Sequence, residues 1–339
     1  MISVAIATIA DGGTLSREEA REVMGVVMRG EATPAQIGGL LVGLRTRGET
    51  VEEITGFAEA MREHVLPVVP ERTSIVDVVG TGGDGARTFN ISTAAAVVAA
   101  SAGAAVAKHG NRAASSACGS ADVLEELGLV LELPPERIAA SIDAHGFGFM
   151  FARAHHPAMR HAAPVRQELG TRTVFNVLGP LANPAGARNG VFGVFSTDLA
   201  RTYAEALAGL GARRAFVVHG EGGIDELSPA GPSLVVEVAD GDVREWQLDP
   251  RELGFARSDP ADLRGGTPAE NAEAIRRVLA GERGGGRDAV VLNAAGALVA
   301  AGVVDDLAAG VGAAAQAVDS GDAGVTLERL VEFSNGSHA

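Results

Sequence analysis

The sequence predicts an α/β protein in which a small all-helical N-terminal domain precedes a larger domain with a mostly parallel central sheet flanked by helices. From residue 75 onward, apolar runs of strand length alternate with helix-like segments, as in a parallel sheet covered on both faces. The first 70 residues show only helical patterns. A composition with 45 glycines and 4% aromatic residues suits helices packed closely on such a sheet. We therefore predict a helical domain at 1–70 and an α/β domain at 71–339.

The net charge limits which kinds of binding partner are expected. At −15, the surface as a whole should repel nucleic acid and acidic membranes, so neither is expected as a partner. An anionic ligand would need a local cationic pocket or a bound metal. The single cysteine, Cys118, excludes an intrachain disulfide and is compatible with a reducing compartment. Residues 1–10 are apolar but short and lack a basic leader, so we expect a cytoplasmic protein.

Capping signals divide the N-terminal segment into helices. Ser16 with Glu19 and Thr50 with Glu53 fit capping boxes, and Thr33 precedes a proline suited to the first helical position. The helices predicted from these signals cover residues 17–28, 35–45 and 51–64. A helical unit of this size usually packs against something larger or against a second copy. Residues 66–70, which contain two prolines, are the predicted linker.

The chain is organised around residues 75–93, where a strand, a glycine-rich turn and a helix start follow one another. The strand covers 75–79, the turn is Gly-Thr-Gly-Gly-Asp-Gly at 80–85, and Asn-Ile-Ser-Thr at 90–93 opens the helix. Glycines let backbone N–H groups approach phosphate oxygens, and a helix N-terminus favours negative charge. The pattern fits neither the G-x-G-x-x-G nor the Walker motif. It predicts a site for a different phosphorylated ligand.

The remaining elements continue the alternation. We predict strands at 104–112, 129–133, 190–195 and 214–219, a hairpin at 234–239 and 243–248, and helices at 121–127, 135–145 and 198–210. Ser120 is the predicted cap of the helix at 121–127, and Asp240-Gly241 is the predicted hairpin turn. Segments 271–280 and 288–292 and two or three alanine-rich helices complete the domain. Residues 281–286 are predicted to form a flexible surface loop.

Three predicted strands end in polar, glycine-bearing loops, at residues 80–84, 108–111 and 219–226. Ligands of open α/β sheets bind beyond the carboxyl ends of the strands. Lys108 could neutralise a phosphate there, or it could be a lysine that extends from a strand end into solvent. Asp225 and Glu226 suit magnesium beside a phosphate, although most acidic pairs are simply solvated. Asp84 could join the metal or only form the turn.

Other candidates are weaker on the residues alone. His109 could be a general base or line a pocket wall, and Arg166 could bind a carboxylate or lie on a helix surface. The small residues around Cys118 favour a packing role over a nucleophile. Four histidines lack the spacing of metal ligands and are predicted to lie mostly at the surface or at helix ends. These are His145, His155, His156 and His161.

Taken together, the motifs resemble the anthranilate phosphoribosyltransferases of tryptophan biosynthesis. The segments that carry the resemblance run in order along nearly the whole chain: 30–36, 80–84, 90–93, 108–112, 115–116, 119–122, 164–176, 179–184, 225–228 and 269–272. The resemblance implies an α/β domain like that of pyrimidine nucleoside phosphorylases. It also implies a homodimer formed through the helical domain, with a contribution from residues 160–185. The chain departs from the family pattern at Ile224 and at Ala113-Ala114, where leucine and a bulkier residue are common.

The resemblance implies roles for individual residues. Phosphoribosyl pyrophosphate would be bound by Gly80, Gly83, Asp84, Thr88, Asn90, Ile91, Ser92, Thr93, Lys108, His109, Gly110, Asn111, Arg112, Ala113, Ala114, Ser115, Ser116 and Ser120. Anthranilate would be bound by Gly80, His109, Asn111, Arg166 and Pro180. Magnesium, as two ions per site, would be bound by Ser92, Asp225 and Glu226. The catalytic residues would be Lys108, Asp84 and Arg166.

The implied reaction transfers phosphoribose to the anthranilate amine and releases pyrophosphate. Neutralisation of the leaving group and positioning of the amine would account for most of the catalysis, with no covalent intermediate and no essential catalytic base. A nucleoside phosphorylase of the same fold is the first alternative, and it would not need Asp225-Glu226 together with Asn111 and Arg166. A non-catalytic relative that binds nucleic acid is the second, and the charge of −15 argues against it.

Overall fold

The computed structural model describes residues 1–113 and 117–336 and begins with four helices. These are α1 (Ile2–Ala10), α2 (Arg17–Met28), α3 (Pro34–Arg47) and α4 (Val51–Glu63). The predicted capping boxes of Ser16 with Glu19 and Thr50 with Glu53 are confirmed, and Thr33 forms a third with Gln36. Each box uses a side-chain oxygen and a reciprocal backbone N–H to satisfy groups that the first helical turn leaves unpaired.

The rest of the described chain forms a central sheet flanked by helices. Its strands are β1 (Ile75–Gly80), β2 (Ala105–Gly110), β3 (Phe147–Phe151), β4 (Asn189–Gly193), β5 (Arg214–His219), β6 (Ser233–Ala239) and β7 (Asp242–Leu248). Its helices are α5 (Ile91–Ser101), α6 (Ser120–Glu126), α7 (Pro135–His145), α8 (Ala152–His155), α9 (Ala163–Leu169), α10 (Val174–Leu181), α11 (Thr197–Gly209), α12 (Pro268–Leu279), α13 (Gly285–Ala301), α14 (Leu307–Asp319) and α15 (Asp322–Asn335).

The strand order is β3-β2-β1-β4-β5-β6-β7, which confirms the predicted, mostly parallel sheet. In this order, each strand from β3 through β2, β1 and β4 to β5 is parallel to its neighbour. Strand β6 is antiparallel to β5, and β7 is antiparallel to β6. The β6–β7 turn places Asp240 at φ 49° and Gly241 at φ 96°, as the predicted D-G hairpin requires. Because β2, β1, β4 and β5 are parallel neighbours, the loops that follow them emerge at one edge of the sheet.

The two faces of the sheet are buried in different clusters. One face packs on α5 and α13, whose alanines and glycines allow close approach. The other face packs on α10, α11 and the N-terminal helices, and Phe57 of α4 and Tyr203 of α11 belong to the same buried cluster as Phe192 of β4. The helical segment and the sheet therefore share one core. No helix among the described residues has the length and apolar character needed to cross a membrane.

The prediction of a strand at 129–133 is wrong. The far edge of β2 pairs instead with β3, a strand that the sequence analysis missed. The 129–133 segment packs against α15, where the Val130 N–H donates to Ser334 Oγ (3.1 Å). An apolar run of five residues gives no sign of whether its partner is a strand or a helix.

Two further local predictions are wrong. Ser120 does not cap the helix but is the first residue of α6, and Asp122 accepts the hydrogen bond from the Gly119 N–H (2.9 Å). Residues 281–286 are not all loop, because Gly285 and Gly286 begin α13. A Cβ on Gly285 would lie 2.9 Å from the Cβ of Asp262, so the helix start packs closely on its neighbour.

Candidate active site

The glycine-rich loop after β1 takes a backbone path that glycine favours. Gly82, Gly83 and Gly85 have φ angles of 67°, 76° and 78°. Residues with a side chain rarely adopt such angles, so this loop requires its glycines. A Cβ on Gly80, at the end of β1, would lie 2.1 Å from Asp225 Oδ2. The loop after β5 therefore packs directly against the backbone of β1.

The three polar loops predicted from the sequence meet at the edge of the sheet. The Gly82 N–H donates to Asp225 Oδ2 (2.7 Å), and the Asp225 N–H donates to Asp84 Oδ2 (3.4 Å). At the start of α5, the Ser92 N–H donates to Glu226 Oε1 (3.3 Å). Hydrogen bonds thus connect three carboxylates and a helix N-terminus at this edge of the sheet.

Two glycines that the sequence analysis did not single out hold the acidic pair in place. A Cβ on Gly193, the last residue of β4, would lie 1.5 Å from the Asp225 carbonyl oxygen. A Cβ on Gly220 would lie 2.3 Å from the Glu226 carbonyl oxygen. Gly193 ends β4 and Gly220 directly follows β5, and that placement is the signal that could have identified them.

Burial and crowding disfavour negative charge in this cluster. Burial, followed by repulsion from Asp84, raises the pKa of Asp225 to about 7. Burial, followed by repulsion from Asp225, raises the pKa of Glu226 well above its ordinary value. Glu226 Oε2 is buried and accepts no hydrogen bond from the described residues. The arrangement therefore favours a cation beside these oxygens.

This cluster predicts a pH dependence of stability. Because the folded-state pKa of Asp225 is raised, the folded protein binds more protons than the unfolded chain, and stability falls as pH rises toward the folded pKa. We expect Asp225→Asn to gain stability relative to the unsubstituted protein by roughly 2 kcal/mol between about pH 5 and about pH 7.5. Urea unfolding of both proteins without ligand at several pH values measures this difference. A constant difference would contradict the expectation.

Lys108 lies beneath the acidic cluster. Its side chain is 1% exposed, and its Nζ donates to the Val78 carbonyl (2.6 Å) and to Ser92 Oγ (3.5 Å). Burial lowers the pKa of Lys108, while attraction to Asp77 and then Glu226 opposes that shift. Lys108 is therefore buried and is attracted electrostatically to the nearby carboxylates. The alternative prediction, a lysine that extends into solvent, is wrong.

Asp77 is a buried residue of the site that the sequence analysis missed. Its carboxylate accepts hydrogen bonds from the His109 N–H (3.4 Å) and from Asn183 Nδ2 (2.8 Å), so it connects β1 to β2 and to the segment after α10. Burial raises its pKa to about 6, and Lys108 opposes the rise. A lone aspartate inside an apolar strand is the signal that could have revealed it.

A cavity of about 480 Å³ adjoins the cluster. All the residues that the sequence analysis assigned to anthranilate line it: Gly80, His109, Asn111, Arg166 and Pro180. Gly80 therefore belongs to the wall of this cavity and also touches the Asp225 carboxylate. The backbone at Gly80 therefore separates the cavity from the carboxylate cluster.

Three arginines line the cavity, of which the sequence analysis singled out Arg166 alone. The Arg166 guanidinium lies 5.1 Å from the centre of the Phe175 ring, and burial lowers its pKa. Arg166 is half-buried on α9 and lines the cavity, so its role as a carboxylate ligand stays a prediction that this placement allows. Arg153 and Arg160 are exposed at the cavity, and none of the three has a carboxylate partner among the described residues. The cavity is thus a cationic region in an acidic protein.

His109 faces the cavity as a neutral ring. Its Nδ1 lies 3.1 Å from the Gly179 carbonyl, which assigns the proton to Nδ1, and Nε2 has no partner among the described residues. Burial, followed by repulsion from His156, lowers its pKa well below the ordinary value. The rings of His109 and His156 are 5.0 Å apart. Of the later histidines, which were predicted to lie mostly at the surface or at helix ends, His155 ends α8 as predicted but is buried, and His156, which directly follows α8, is also buried.

The remaining predicted ligands of the phosphorylated substrate surround the same region with various partners. Asn90 accepts from Asn271 Nδ2 (2.9 Å), and Thr93 Oγ1 is buried without a partner among the described residues. Arg112 forms ion pairs with two acids of α6, at 3.0 Å and 2.7 Å. Ser120 Oγ lies 3.4 Å from the Asn111 carbonyl. Ala114, Ser115 and Ser116 fall outside the described residues.

The rest of the predicted set lies near these residues. Thr88 pairs with Arg264 in an isolated bridge, and Ile91 is buried at the start of α5. Gly110 ends β2, and Ala113 donates its N–H to Asp122 Oδ2 (2.9 Å). Cys118 is buried, and burial raises its pKa to about 11, which agrees with a packing role. Within the described residues, no group of three or more His, Cys, Asp or Glu side chains forms a ready-made metal site.

Comparison with protein families places this architecture in a class. Residues 72–324 match the family described as "Glycosyl transferase family, a/b domain", and residues 3–65 match "Glycosyl transferase family, helical bundle domain". The chain therefore belongs to a glycosyl transferase family that has an α/β domain and a helical bundle domain.

Individual relatives are more specific. Proteins named anthranilate phosphoribosyltransferase from Parvibaculum lavamentivorans and Methylobacterium nodulans are each 53% identical, covering 98% and 97% of this chain and 97% and 98% of theirs. The Thermus thermophilus enzyme structure has 52% identity and a TM-score of 0.93, covering 98% of this chain and 99% of its own. The Saccharomyces cerevisiae enzyme "in complex with PRPP and Mg" has 28% identity and a TM-score of 0.89, with coverage of 98% and 97%. The chain belongs to the anthranilate phosphoribosyltransferase family.

Proposed function

We propose that this chain transfers the phosphoribosyl group of phosphoribosyl pyrophosphate to the amine of anthranilate, giving N-(5-phosphoribosyl)anthranilate and pyrophosphate. The main observation behind the proposal is that Gly80 borders both the cavity and the carboxylate cluster. That glycine lines the arginine-bearing cavity and packs against the carboxylate of Asp225. An aromatic acid in the cavity would therefore lie beside a sugar phosphate bound at the glycine-rich loop.

The donor set fits magnesium. Asp225, Glu226 and Ser92 supply oxygen atoms, and Glu226 Oε2 is buried without a hydrogen-bond partner among the described residues. Magnesium prefers oxygen ligands and is usually bound by one or two carboxylates together with substrate phosphates, so the lack of a ready-made metal site among the described residues agrees with this interpretation. Bound magnesium would neutralise charge on the pyrophosphate. We propose two ions per site, as in the family pattern.

The protein's own groups would complete the neutralisation of the leaving group. Lys108 would supply a buried positive charge, and the glycine-rich loop and the start of α5 would supply backbone N–H groups, of which those of Gly82 and Ser92 donate to Asp225 and Glu226 in this structure. We propose that Asp84 keeps this loop in place, because its Oδ2 already accepts from the Asp225 N–H. Fixed donors aimed at developing charge lower the barrier without reorganisation at the moment of reaction.

The cavity residues would orient the acceptor. The planar guanidinium of Arg166 can hold the anthranilate carboxylate through two parallel hydrogen bonds, and Asn111 lies on the same cavity wall. The aromatic amine is a neutral nucleophile, so positioning contributes more than activation by a base. We propose a single displacement with inversion at the anomeric carbon and no covalent intermediate.

A fluorescence assay tests the function directly. Anthranilate fluorescence should fall when phosphoribosyl pyrophosphate and magnesium are both present, and omission of either should abolish the change. The same enzyme with a nucleoside and inorganic phosphate should release no free base. Base release in the second assay without fluorescence loss in the first would replace this proposal with a nucleoside phosphorylase.

We expect His109→Ala to retain most of its turnover. Burial holds the pKa of His109 well below its ordinary value, so the neutral ring is a weak base, and we expect it to contribute packing at the cavity wall instead of proton transfer. Loss of a general base typically costs about 10²–10⁴-fold, whereas we expect kcat to fall by less than about tenfold, with an increase in anthranilate KM. Steady-state kinetics with both substrates measure this. A collapse of kcat with unchanged substrate binding would show that His109 is a base.

The assembly and location are also proposals. Exposed apolar residues on the N-terminal helices, Val4 of α1 and Val42 of α3, support a homodimer through the helical domain, which we assign to residues 1–70, with residues 160–185 contributing and 71–339 forming the catalytic domain. The single cysteine supports a cytoplasmic location. Light scattering on the purified protein tests the dimer.

A further inference from the structure

A second cavity, of about 620 Å³, lies where the helical segment meets α11 and the chain that leads into β4. It shares no lining residue with the acceptor cavity. Charged side chains dominate its wall. The lining residues are Arg17, Glu18, Arg21, Glu59, Arg62, Glu63, Arg188, Gly209 and Leu210.

The acids of this cavity are already bound by two of its arginines. Arg17 Nη2 lies 2.5 Å from Glu59 Oε1, and Arg21 Nε lies 2.7 Å from Glu63 Oε1. Arg21 also contacts Glu18 through Nη1, at 3.5 Å. The three carboxylates therefore form ion pairs within the cavity wall. Two arginines of this wall remain without an acidic partner among the described residues.

Those two arginines are Arg62 and Arg188. Arg62 Nε donates to the Leu181 carbonyl (2.7 Å), but its Nη2 is buried and has no partner among the described residues. The Arg188 side chain is exposed and forms no ion pair with a described residue. Repulsion from Arg188 is the largest cause, after burial, that lowers the pKa of Arg62 to about 10. Both arginines therefore line the same cavity without an acidic partner among the described residues.

We propose that Arg62 and Arg188 together bind a small oxyanion with at least two negative charges, either free phosphate or the phosphate group of a small molecule. Guanidinium groups match the geometry of phosphate oxygens and can bind them through paired hydrogen bonds. The anion would offset the repulsion between two cations that line one cavity and have no acidic partner among the described residues. Glu59 and Glu63 at the same wall limit the ligand to one small group, because a larger anion would approach their carboxylates.

The position of the site connects it to the acceptor cavity. Met61, the neighbour of Arg62 in α4, lines that cavity, and Leu181, whose carbonyl binds Arg62, follows the cavity residue Pro180. Arg62 therefore connects the proposed oxyanion site to α4 and α10, two helices that also line the acceptor cavity. It does not depend on the proposed function, because its groups are separate from the substrate-binding set.

Sulfate serves as the first probe, in competition with chloride at constant ionic strength. The thermal unfolding midpoint is measured against sulfate concentration with phosphoribosyl pyrophosphate and magnesium in excess, so that the active site is filled. We expect sulfate to raise the midpoint of the unsubstituted protein, and Arg188→Gln to weaken the apparent affinity by about tenfold or more. Arg213→Gln is the matched control, because its side chain is 85% exposed and its nearest acid is 4.0 Å away.

Inorganic phosphate and ribose 5-phosphate are then compared as probes, to distinguish free phosphate from the phosphate group of a small molecule. Magnesium is left out of the phosphate samples. A response to both that Arg188→Gln weakens supports a site for free or esterified phosphate. Arg62→Lys keeps the positive charge but loses the planar, paired donors of the guanidinium group, so it should also weaken binding. Equal responses of Arg188→Gln and Arg213→Gln, or no response to sulfate in the unsubstituted protein, would overturn the proposal.

Discussion

Glu226→Gln should lower kcat/KM by about 10²–10³-fold at limiting magnesium, because removal of one charge-stabilising group from a preorganised site typically has an effect of this size. The substitution preserves shape and removes a buried negative charge that has no hydrogen-bond partner at Oε2 among the described residues. The loss should appear mainly as a higher magnesium requirement. Initial rates measured against magnesium at saturating substrates separate this requirement from a loss of turnover.

The same substitution should leave the fold intact or make it more stable. Burial and repulsion from Asp225 raise the pKa of Glu226, so a neutral amide relieves an unfavourable charge in the ligand-free protein. Urea unfolding of Glu226→Gln should therefore show no loss of free energy of unfolding. Glu245→Gln is the matched control, because Glu245 is exposed on β7 and the change in net charge is identical. An unchanged magnesium requirement in Glu226→Gln would exclude Glu226 from the metal site.

Arg166→Ala should raise the KM for anthranilate by about 10–100-fold, since hydrogen bonds to charged groups contribute roughly 1.5–3 kcal/mol. The KM for phosphoribosyl pyrophosphate should change little, because Arg166 lines the acceptor cavity and forms no hydrogen bond with the described residues of the glycine-rich loop. Steady-state kinetics with each substrate varied in turn measure both constants. The split between the two is the diagnostic result, since a general loss of structure would raise them together.

Two variants make this test specific. Arg166→Lys keeps the positive charge but loses the planar fork, so we expect an intermediate KM for anthranilate. Arg213→Ala removes an exposed arginine and should behave like the unsubstituted enzyme. If Arg166→Ala raised the KM for phosphoribosyl pyrophosphate and left that for anthranilate unchanged, Arg166 would belong to the phosphate site instead.

The sequence predicted the elements whose signals are local. The capping boxes of α2 and α4 depend on residues three positions apart, and the β6–β7 turn depends on an adjacent Asp240-Gly241 pair, so both were found. The missed strand β3 and the false strand at 129–133 are short apolar runs with similar local patterns. Which of them pairs with β2 is decided by contacts distant in sequence, which local patterns do not contain.

The same distinction holds for the candidate site. The glycine-rich loop, Lys108 and the acidic pair were recognisable because a phosphate site needs these residue types after strands. Asp77 and Gly193 were missed because their importance lies in what approaches them: a backbone N–H from β2 in one case and the Asp225 carbonyl in the other. An aspartate within an apolar run and a glycine at a strand end are signals that could mark such residues as candidates, but they do not show which groups approach them.

By itself, the sequence determined the two-part α/β architecture and the identity of the groups available for chemistry, because hydrophobic periodicity, glycine placement and charge are properties of the chain. Only the tertiary structure decided which of those groups meet. It brought Asp84, Lys108 and Glu226 to one edge of the sheet and left Arg62 and Arg188 at the wall of one cavity without an acidic partner among the described residues. The physical reason is that pKa shifts and unpaired donors depend on burial and on distances through space, which only the folded chain defines.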